Sequence, residues 1–429
     1  MAEIKDIYIN TDFTEYRSLN MKRKFFAVVF LLFSVAFGWG TACAAEADPT
    51  VAERNAAQGF NDTIDRLAPD FVTVGLVVCD PDETLYSTLG HAALHLQCPA
   101  YDLDYIFTYE SENVRNKIWT FLQGNLKMGM YAYPADLFLK IYAIKGRGVR
   151  EYALNLSPVQ EQKLWEVMDR RVAHGTNLPY DYFRRGCAKS IVDVMHEAIG
   201  QDAIHYAPWS EKYTEHTLRE LGCMYVKDFP WQEFVSYFLI GADADKQCPC
   251  EKKLIVPEDL VEVWQEAALD NGESVLAEES RVLLDAVREN NAPWCTPLLV
   301  SILLLLLSIG SLAALRTTRQ TIRIAGIAVD CLVLTITTAF GLLTTYLVAF
   351  SRLPCTDWNW LIIPFNLLPA LCWHWRRYWA MPWAVVLFGW CAAMAGEILF
   401  GHVLVDWPHI LLALSLGVIL IKQYIYSCK

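Results

Sequence analysis

The sequence predicts an exported α+β domain followed by an all-α transmembrane bundle of about five helices. Two observations lead to this fold class. Hydrophobic residues make up 54% of the chain and aromatic residues 13%, and the composition changes abruptly after Pro293. Before that residue, strand-like and helix-like patterns are mixed, whereas long apolar runs dominate after it. We therefore expect a folded domain outside the bilayer, attached to several membrane spans.

Residues 21–44 have the layout of a secretory signal peptide. Basic residues precede an apolar stretch, and the small residues Ala42 and Ala44 form a cleavage site. We expect cleavage near Ala44, with an uncleaved signal anchor as the alternative. A signal is read from the beginning of a chain, which predicts Met21 as the start of translation and residues 1–20 as an untranslated upstream segment. The exported domain then covers residues 46–292.

Apolar runs of roughly the length of a membrane span occur throughout the transmembrane domain at 293–429. The five runs are 297–315, 324–350, 358–373, 380–400 and 402–421. Basic residues cluster in alternate loops and at the end: Arg316, Arg319, Arg323; His374, Arg376, Arg377; Lys422, Lys429. All these groups are cytoplasmic if the first span runs inward, which places the preceding domain on the outer face. The signal peptide and the basic loops thus predict one topology, a multi-pass protein of the inner (cytoplasmic) membrane.

The net charge of -12 belongs mainly to the exported domain, which at roughly 250 residues is long enough to bury its own core. No basic patch is available to neutralise phosphates, so a nucleic acid partner is not expected.

Two strands are predicted near the beginning of the exported domain. FVTVGLVV, at 71–78, is β-branched and apolar, which is typical of a buried strand. HAALHL alternates, so His91 and His95 lie on one face and the leucines lie on the other. These histidines could be ordinary half-buried strand residues. A metal site is weakly indicated, because no third ligand accompanies them.

The segment LPYDYFRRGCAKSIVDVMHEAIG, at 178–200, predicts a helix with a cysteine in its first turn. Apolar residues recur at helical spacing from Ile191 to Ala198, and Gly200 is a natural stop, so the helix begins near Gly186. Unpaired N–H groups and the helix dipole at this end, together with Arg184 and Arg185, would lower the pKa of Cys187 from about 8.5. His91 could supply the base that a thiol nucleophile requires.

The exported domain and its boundary with the membrane contain an odd number of cysteines, which predicts one free and reactive thiol in an oxidising compartment, although Cys295 sits at the membrane edge and could belong with the helices. The residues are Cys79, Cys98, Cys187, Cys223, Cys248, Cys250 and Cys295. Cys79 could form a disulfide with Cys98, and Cys223 with Cys248 or Cys250. The spacing does not settle the connectivity, so Cys187 could equally be half of a disulfide.

Other patterns in the exported domain predict strands and helices that carry no candidate site residue. REYALNLS predicts a strand, and Ser157 begins a predicted helix that runs to about Val172. In the remainder at 203–291, DLVEVWQEAALD and SRVLLDAVREN have amphipathic patterns, which predict helices used for packing and as a stalk into the membrane.

Together, YSTLGHAALHL and YDYFRRGCAKSI resemble segments of a bacterial family with a permuted papain-like fold of the NlpC type, in which the histidine precedes the cysteine. That family joins a periplasmic domain to a C-terminal membrane bundle and includes the lipoprotein N-acyltransferase of the Bacteroidota. The resemblance implies that Cys187 is the nucleophile and His91 the general base, with Tyr180 and Tyr182 as flanking aromatic residues that bind substrate. Gly186 departs from the asparagine that usually precedes the cysteine.

The resemblance also implies a third polar residue that orients the histidine. Asp104 is the predicted residue, with Tyr105 and Glu110 as alternatives. Ionisable residues near the outer ends of the spans are candidates for binding lipid head groups or an incoming amine, although each could be an ordinary interfacial residue. These candidates are Glu397, His402, Asp406 and His409.

The activity implied by the resemblance is acyl transfer without a metal or other cofactor. Cys187 would take an acyl chain from a phospholipid as a thioester, and the α-amine of a diacylated lipoprotein would then accept it. A membrane-anchored cysteine peptidase or amidase that acts on peptidoglycan is the first alternative, because papain-like folds host both chemistries. The second is a non-catalytic membrane-anchored binding protein.

Overall fold

The computed structural model describes residues 71–428, except 86, 115, 174, 176–177, 288–292 and 354–355. The predicted upstream segment at 1–20 and the predicted signal peptide at 21–44 lie outside the described residues.

The N-terminal domain is built on a seven-stranded antiparallel sheet with the strand order β6-β4-β3-β2-β1-β5-β9. Two short strands, β7 and β8, form a separate pair. The strand bounds are β1 Thr73–Cys79, β2 His91–Cys98, β3 Leu103–Ser111, β4 Lys127–Pro134, β5 Val149–Leu154, β6 Leu178–Pro179, β7 Ile204–His205, β8 Ala268–Leu269 and β9 Leu276–Leu284.

Helices cover both faces of this sheet. Their bounds are α1 Ile118–Leu122, α2 Ala135–Ile144, α3 Pro158–Ala173, α4 Cys187–Ile199, α5 Glu211–Glu215, α6 Leu218–Val226, α7 Pro230–Leu239 and α8 Pro257–Glu266. On one face, Ile191 of α4 and Leu164 of α3 belong to the same buried cluster as Leu94 of β2. On the other face, Phe138 of α2 packs with Val77 of β1. The central strand β2 is therefore buried on both sides.

Most of the predicted elements of this domain are confirmed. Strands β1, β2 and β5 lie in FVTVGLVV, HAALHL and REYALNLS and the residues next to them, as predicted, and helices α3 and α4 begin at Pro158 and Cys187. Helix α8 overlaps the pattern DLVEVWQEAALD and begins two residues before it, but the helix predicted for SRVLLDAVREN is wrong. Its first part belongs to β9, because the free edge of β5 offers backbone hydrogen bonds, with Arg281 opposite Glu151.

Among the C-terminal residues that the structure describes, four helices are long and apolar enough to cross a membrane: Pro297–Leu315, Gln320–Phe350, Trp373–Leu399 and Trp407–Ser427. Their regular α-helical parts are α9 Pro297–Ser311, α10 Gln320–Phe350, α12 Arg376–Leu399 and α13 Trp407–Ser427, with the short helix α11 Leu368–Leu371 between α10 and α12. The prediction of about five helices is corrected to four of spanning length, because the run at 358–373 is not a continuous helix.

Prolines break the third apolar run. Pro364 and Pro369 lack backbone N–H groups and interrupt helical hydrogen bonding, so only short helical turns form around them. Asn366 satisfies the backbone groups that remain: its amide donates to Ile362 O and Ile363 O, and its Oδ1 accepts from the backbone N–H of Leu368. Irregular backbone at membrane depth requires such internal partners.

The packing of the ends shows that this broken segment still crosses the bundle. Asn359, near its beginning, donates to the backbone oxygen of Tyr237 in α7 of the N-terminal domain. Trp373, near its end, packs with Leu420 in the last part of α13. Helix α13 begins at the opposite side, where His409 stacks on Phe234 of α7. The broken segment and α13 therefore run in opposite directions through the bundle.

A buried ion pair connects two membrane helices. Nζ of Lys422, in α13, lies 2.8 Å from Oδ1 of Asp330 in α10. Lys422 also donates to Gly326 O, and Gln423 donates to the second carboxylate oxygen. Lys422, which the sequence suggested as a cytoplasmic loop charge, is thus a buried partner of Asp330 in the bundle.

We expect the single substitutions Asp330→Asn and Lys422→Met each to destabilise the protein by about 3–5 kcal/mol, because each leaves a buried group without its partner. The double variant should recover most of this loss, since neither charge remains. Thermal unfolding in detergent measures both effects. Single variants that unfold at the wild-type temperature would contradict the prediction.

Candidate active site

Cys187 is the first residue of α4, as the sequence predicted, and Gly186 is the residue that caps the helix. Backbone N–H groups of Ala92, Ala188 and Cys187 itself lie near the half-buried thiol of Cys187 and lower its pKa, which offsets part of the effect of burial. These converging N–H groups can stabilise a negative charge on the sulfur or on an oxygen bound near it.

The imidazole of His91 is held by the neighbouring strand. His91 is the first residue of β2, and its Nε2 lies 2.6 Å from Oγ1 of Thr108 in β3. Thr108 is fully buried, so this partner is not exchanged for bulk water. As a general base, His91 needs an unprotonated Nδ1, and its Nε2–H then donates to Thr108 Oγ1.

Cys187 and His91 lie on different sides of the sheet. Helix α4 packs on the Ala92 face, whereas His91 shares the opposite face with Ala93. The thiol nevertheless lies near the backbone N–H of Ala92, the residue directly after His91. Both residues therefore belong to the end of the sheet where β2 begins. Because Thr108 occupies Nε2, Nδ1 is the ring nitrogen of His91 that could act as a base.

The predicted role of Asp104 is corrected by the geometry. Asp104 Oδ1 lies 2.5 Å from Nε2 of His95, not of His91. Glu151 binds the other ring nitrogen of His95 at 2.6 Å, so this second histidine is held between two carboxylates. Their hydrogen bonds outweigh burial and raise the pKa of His95. Glu110, an alternative for the third residue, accepts a hydrogen bond from Tyr133 instead.

The thiol and the imidazole are both neutral in this environment. Burial raises the pKa of the Cys187 thiol, although the adjoining N–H groups and the charge of Arg147 act in the opposite direction. Burial and the charges of Arg147 and Lys145 lower the pKa of His91 to about 3. The expectation that Cys187 has a lowered pKa is wrong. Arg184 and Arg185 are exposed, so their charges do not offset the rise in the Cys187 pKa that burial causes.

We expect the alkylation of Cys187 by iodoacetamide to be slow at pH 7 and to increase with pH beyond the ordinary thiol range. A raised pKa leaves most of the thiol protonated at pH 7, and only the thiolate reacts. Quantitative mass spectrometry of the Cys187 peptide gives the rate at each pH. A rate that is already maximal near pH 6 would indicate a preformed thiolate–imidazolium pair and contradict this electrostatic description.

Arg147 is a site component that the sequence pattern did not single out. Its side chain is buried, and Nε donates to the backbone oxygen of Asp80 at 2.7 Å. Asp80 directly follows Cys79, whose Cα partner across the sheet is His91. The guanidinium also lies 4.7 Å from the ring centre of Tyr142. A fixed positive charge thus adjoins both candidate catalytic groups.

All described cysteines are free thiols, including Cys187. The proposed disulfide between Cys79 and Cys98 is excluded in this fold by strand pairing. Cys79 pairs with His91 at one end of β2, and Cys98 lies at the other end, about 20 Å away along the strand. Cys223 is likewise free, and it donates to Tyr237 rather than pairing with Cys248 or Cys250.

The two tyrosines before Cys187 have different surroundings. Burial raises the pKa of Tyr180, and the charge of Cys187 raises it further. Tyr182 donates its hydroxyl to Leu239 O at 2.7 Å and so ties the segment to α7. Tyr182 therefore has a structural partner, whereas the phenol of Tyr180 lies within electrostatic range of the thiol.

The structure separates the four ionisable candidates of the bundle into two pairs. Asp406 caps α13 and binds Nδ1 of His409, which is fully buried and stacks on Phe234. Burial raises the pKa of Glu233 in α7, and the charge of Asp406 raises it further, to about 7. The backbone N–H of His402, an exposed residue, donates to the backbone oxygen of Glu397. The Asp406–His409 pair thus lies at the junction with α7.

Within the part of the chain that the structure describes, no three His, Cys, Asp or Glu side chains are grouped so that they could hold a metal ion. No curated protein and no solved structure matches the chain. Residues 60–219 match the family model described as the Lnb N-terminal periplasmic domain, a range that includes Cys187 and His91. Within the described residues, the chain thus combines a segment similar to that periplasmic domain with four candidate membrane helices that follow it.

Proposed function

We propose that this protein is a lipoprotein N-acyltransferase of the inner membrane that uses Cys187 as its nucleophile. The single observation that carries the proposal is the position of a free thiol at the N-terminus of α4, near the backbone N–H groups of Ala188 and of Ala92, the residue that directly follows His91. This arrangement suits acyl transfer, which needs a nucleophile, a base and donors for an oxyanion.

The first half of the proposed reaction forms a thioester. His91 Nδ1 takes the proton from Cys187 as the sulfur attacks the carbonyl carbon of a phospholipid ester, because both groups are neutral beforehand. The N–H groups of Ala92 and Ala188 stabilise the oxyanion. When the intermediate collapses, the ester C–O bond breaks and the leaving alkoxide takes the proton from His91. The products are a lysophospholipid and the acylated cysteine.

The second half transfers the acyl chain to nitrogen. The free α-amine of a diacylated lipoprotein attacks the thioester carbon and loses a proton to His91. The C–S bond then breaks, and the sulfur regains that proton as a thiol. The attached bundle supports a lipid acceptor, because a peptidoglycan hydrolase requires an anchor but no multi-span domain docked on its catalytic domain.

Mass spectrometry of lipoprotein N-termini tests this function in cells depleted of the protein. We expect the N-acyl group to disappear from the terminal cysteine and to return with the wild-type chain. Lipoproteins that keep this group after depletion would overturn the proposal. Accumulation of uncleaved peptidoglycan stem peptides in the same cells would identify the amidase alternative.

A further inference from the structure

The last turn of α7 binds side chains from two distant parts of the chain. The final carbonyl groups of a helix have no partners within the helix. In α7, the side-chain amide of Asn359 donates to Tyr237 O at 2.8 Å and to Phe238 O at 3.1 Å. The hydroxyl of Tyr182 donates to the next carbonyl, Leu239 O, at 2.7 Å. A residue of the membrane bundle and a residue of the segment just before α4 thus bind adjacent carbonyls of the same helix end.

Asn359 has a fixed orientation in the broken membrane segment. Its side chain is 4% exposed, and its Oδ1 accepts a hydrogen bond from the backbone N–H of Leu361 at 2.8 Å, which directs the amide N–H groups toward α7. The preceding residue adds a second contact: Trp358 O accepts from the backbone N–H of Ala242, just after α7, at 2.7 Å. The bundle therefore holds the end of α7 through both a side chain and the main chain.

Tyr182 belongs to a tight turn that leads directly into α4. Oδ1 of Asp181 accepts hydrogen bonds from the backbone N–H groups of Phe183 at 3.0 Å and Arg184 at 2.8 Å. Phe183 is buried in the domain, which anchors the turn. Since Cys187 follows this turn as the first residue of α4, a displacement of Tyr182 moves the backbone that carries the thiol.

The first turn of α7 repeats this arrangement at the other end of the helix. Nε1 of Trp231 donates at 2.7 Å to the backbone oxygen of Cys295, just before membrane helix α9. The neighbouring Gln232 donates to the backbone oxygen of Glu83, in the loop that leads from β1 to His91. Each end of α7 therefore contacts both the bundle and an element that carries a candidate catalytic residue.

We propose that α7 couples the membrane bundle to the candidate active site, and that Asn359 is the positioning residue through which the bundle fixes the turn before Cys187. Without the Asn359 amide, two buried carbonyls lose their donors, which loosens the last turn of α7 and with it the acceptor of Tyr182. The effect on the thiol does not depend on the reaction, whereas the effect on acyl transfer rests on the proposed function.

Alkylation of Cys187 by iodoacetamide in the full-length protein tests the coupling without requiring acyl transfer. We expect Asn359→Ala to raise the rate several-fold at mildly alkaline pH, because a loosened turn exposes the half-buried thiol. Tyr182→Phe removes only the hydroxyl and should change the rate in the same direction. The double variant should react no faster than the faster single variant, since both substitutions break one connection. Effects that multiply in the double variant would contradict the coupling.

Asn366→Ala is the matched control for Asn359→Ala. Asn366 lies in the same broken segment, but its amide donates to Ile362 O and Ile363 O within that segment rather than to α7. We expect this variant to unfold at a lower temperature and to be alkylated at the wild-type rate. Equal acceleration in both variants would show that general loosening of the bundle exposes the thiol, and it would overturn the proposal. A wild-type alkylation rate in Asn359→Ala would overturn it as well.

Transfer kinetics in phospholipid vesicles extend the test to the proposed function. We expect Asn359→Ala to lower kcat about tenfold and to leave KM for the phospholipid unchanged, because it misplaces the nucleophile without removing a lipid contact. A raised KM with an unchanged kcat would assign Asn359 to substrate binding and contradict its positioning role. If Asn359→Ala and Tyr182→Phe are alkylated faster but the wild-type protein transfers no acyl chain, the proposed function fails while the coupling stands.

Discussion

Replacement of Cys187 by alanine is expected to abolish N-acylation, with a loss on the order of 10³-fold or more in the transfer rate. The substitution removes the only sulfur that the described structure places among the N–H groups at the beginning of α4. The protein level and thermal stability should change little, because the side chain is small and half-buried. Reconstituted transfer from phospholipid to a diacylated lipopeptide gives the rate.

Cys248→Ala is the matched control for this substitution. Cys248 is also a half-buried free thiol, but it lies near Lys252 and Lys253 rather than at the site. We expect Cys248→Ala to transfer acyl groups at the wild-type rate. If Cys187→Ala also remained active, the nucleophile would be wrongly assigned, and a non-catalytic binding protein would become the better description.

Replacement of His91 by alanine is expected to reduce the transfer rate by about 10²–10⁴-fold. The loss is large because the Cys187 thiol has a raised pKa and so depends on a base during attack. His205→Ala is the matched control, since His205 is exposed and pairs with Asp270 outside the site. Wild-type activity of His91→Ala would show that another group removes the thiol proton.

Thr108 gives a graded test of the same base. Thr108→Val keeps the shape of the side chain but leaves Nε2 of His91 without its 2.6 Å partner, and we expect about a tenfold loss. Thr108→Ser should restore most of the activity, because the hydroxyl returns. A Thr108→Val rate equal to wild type would show that Thr108 does not orient the imidazole.

The elements that carry the site were predictable because their signals are local. Gly200 and the helical spacing of apolar residues fixed the position of α4, and with it the place of Cys187 in the first turn. The alternation in HAALHL fixed the common face of His91 and His95. Each of these signals lies within one helix or strand.

The partners of the two histidines follow from strand register, which the prediction of Asp104 did not use. Pairing of β2 with β3 aligns Ala93 with Thr108 and Gln97 with Asp104. Each histidine binds the residue paired two positions further along its strand, which gives Thr108 to His91 and Asp104 to His95. The tight connection at Pro99–Tyr101 between these strands was the signal that sets this register.

The pKa of Cys187 could not be read from its neighbours in sequence. Helix-end N–H groups and nearby arginines predicted a lowered value, but burial under the packed domain dominates. The nearby charge comes from Arg147, forty positions earlier, and not from Arg184 or Arg185. Hydropathy alone likewise indicated a span at 358–373, although Pro364 and Pro369 already argued against a continuous helix.

Trapping the acyl-enzyme shows whether Cys187 itself carries the acyl chain. The wild-type protein is mixed with phospholipid vesicles in the absence of a lipoprotein acceptor, quenched in acid and digested, and the mass of the Cys187 peptide is measured. We expect a mass increase equal to one acyl chain of the donor, removed by neutral hydroxylamine and by a diacylated lipopeptide. An unmodified Cys187 peptide under conditions in which the same preparation completes N-acylation would contradict it.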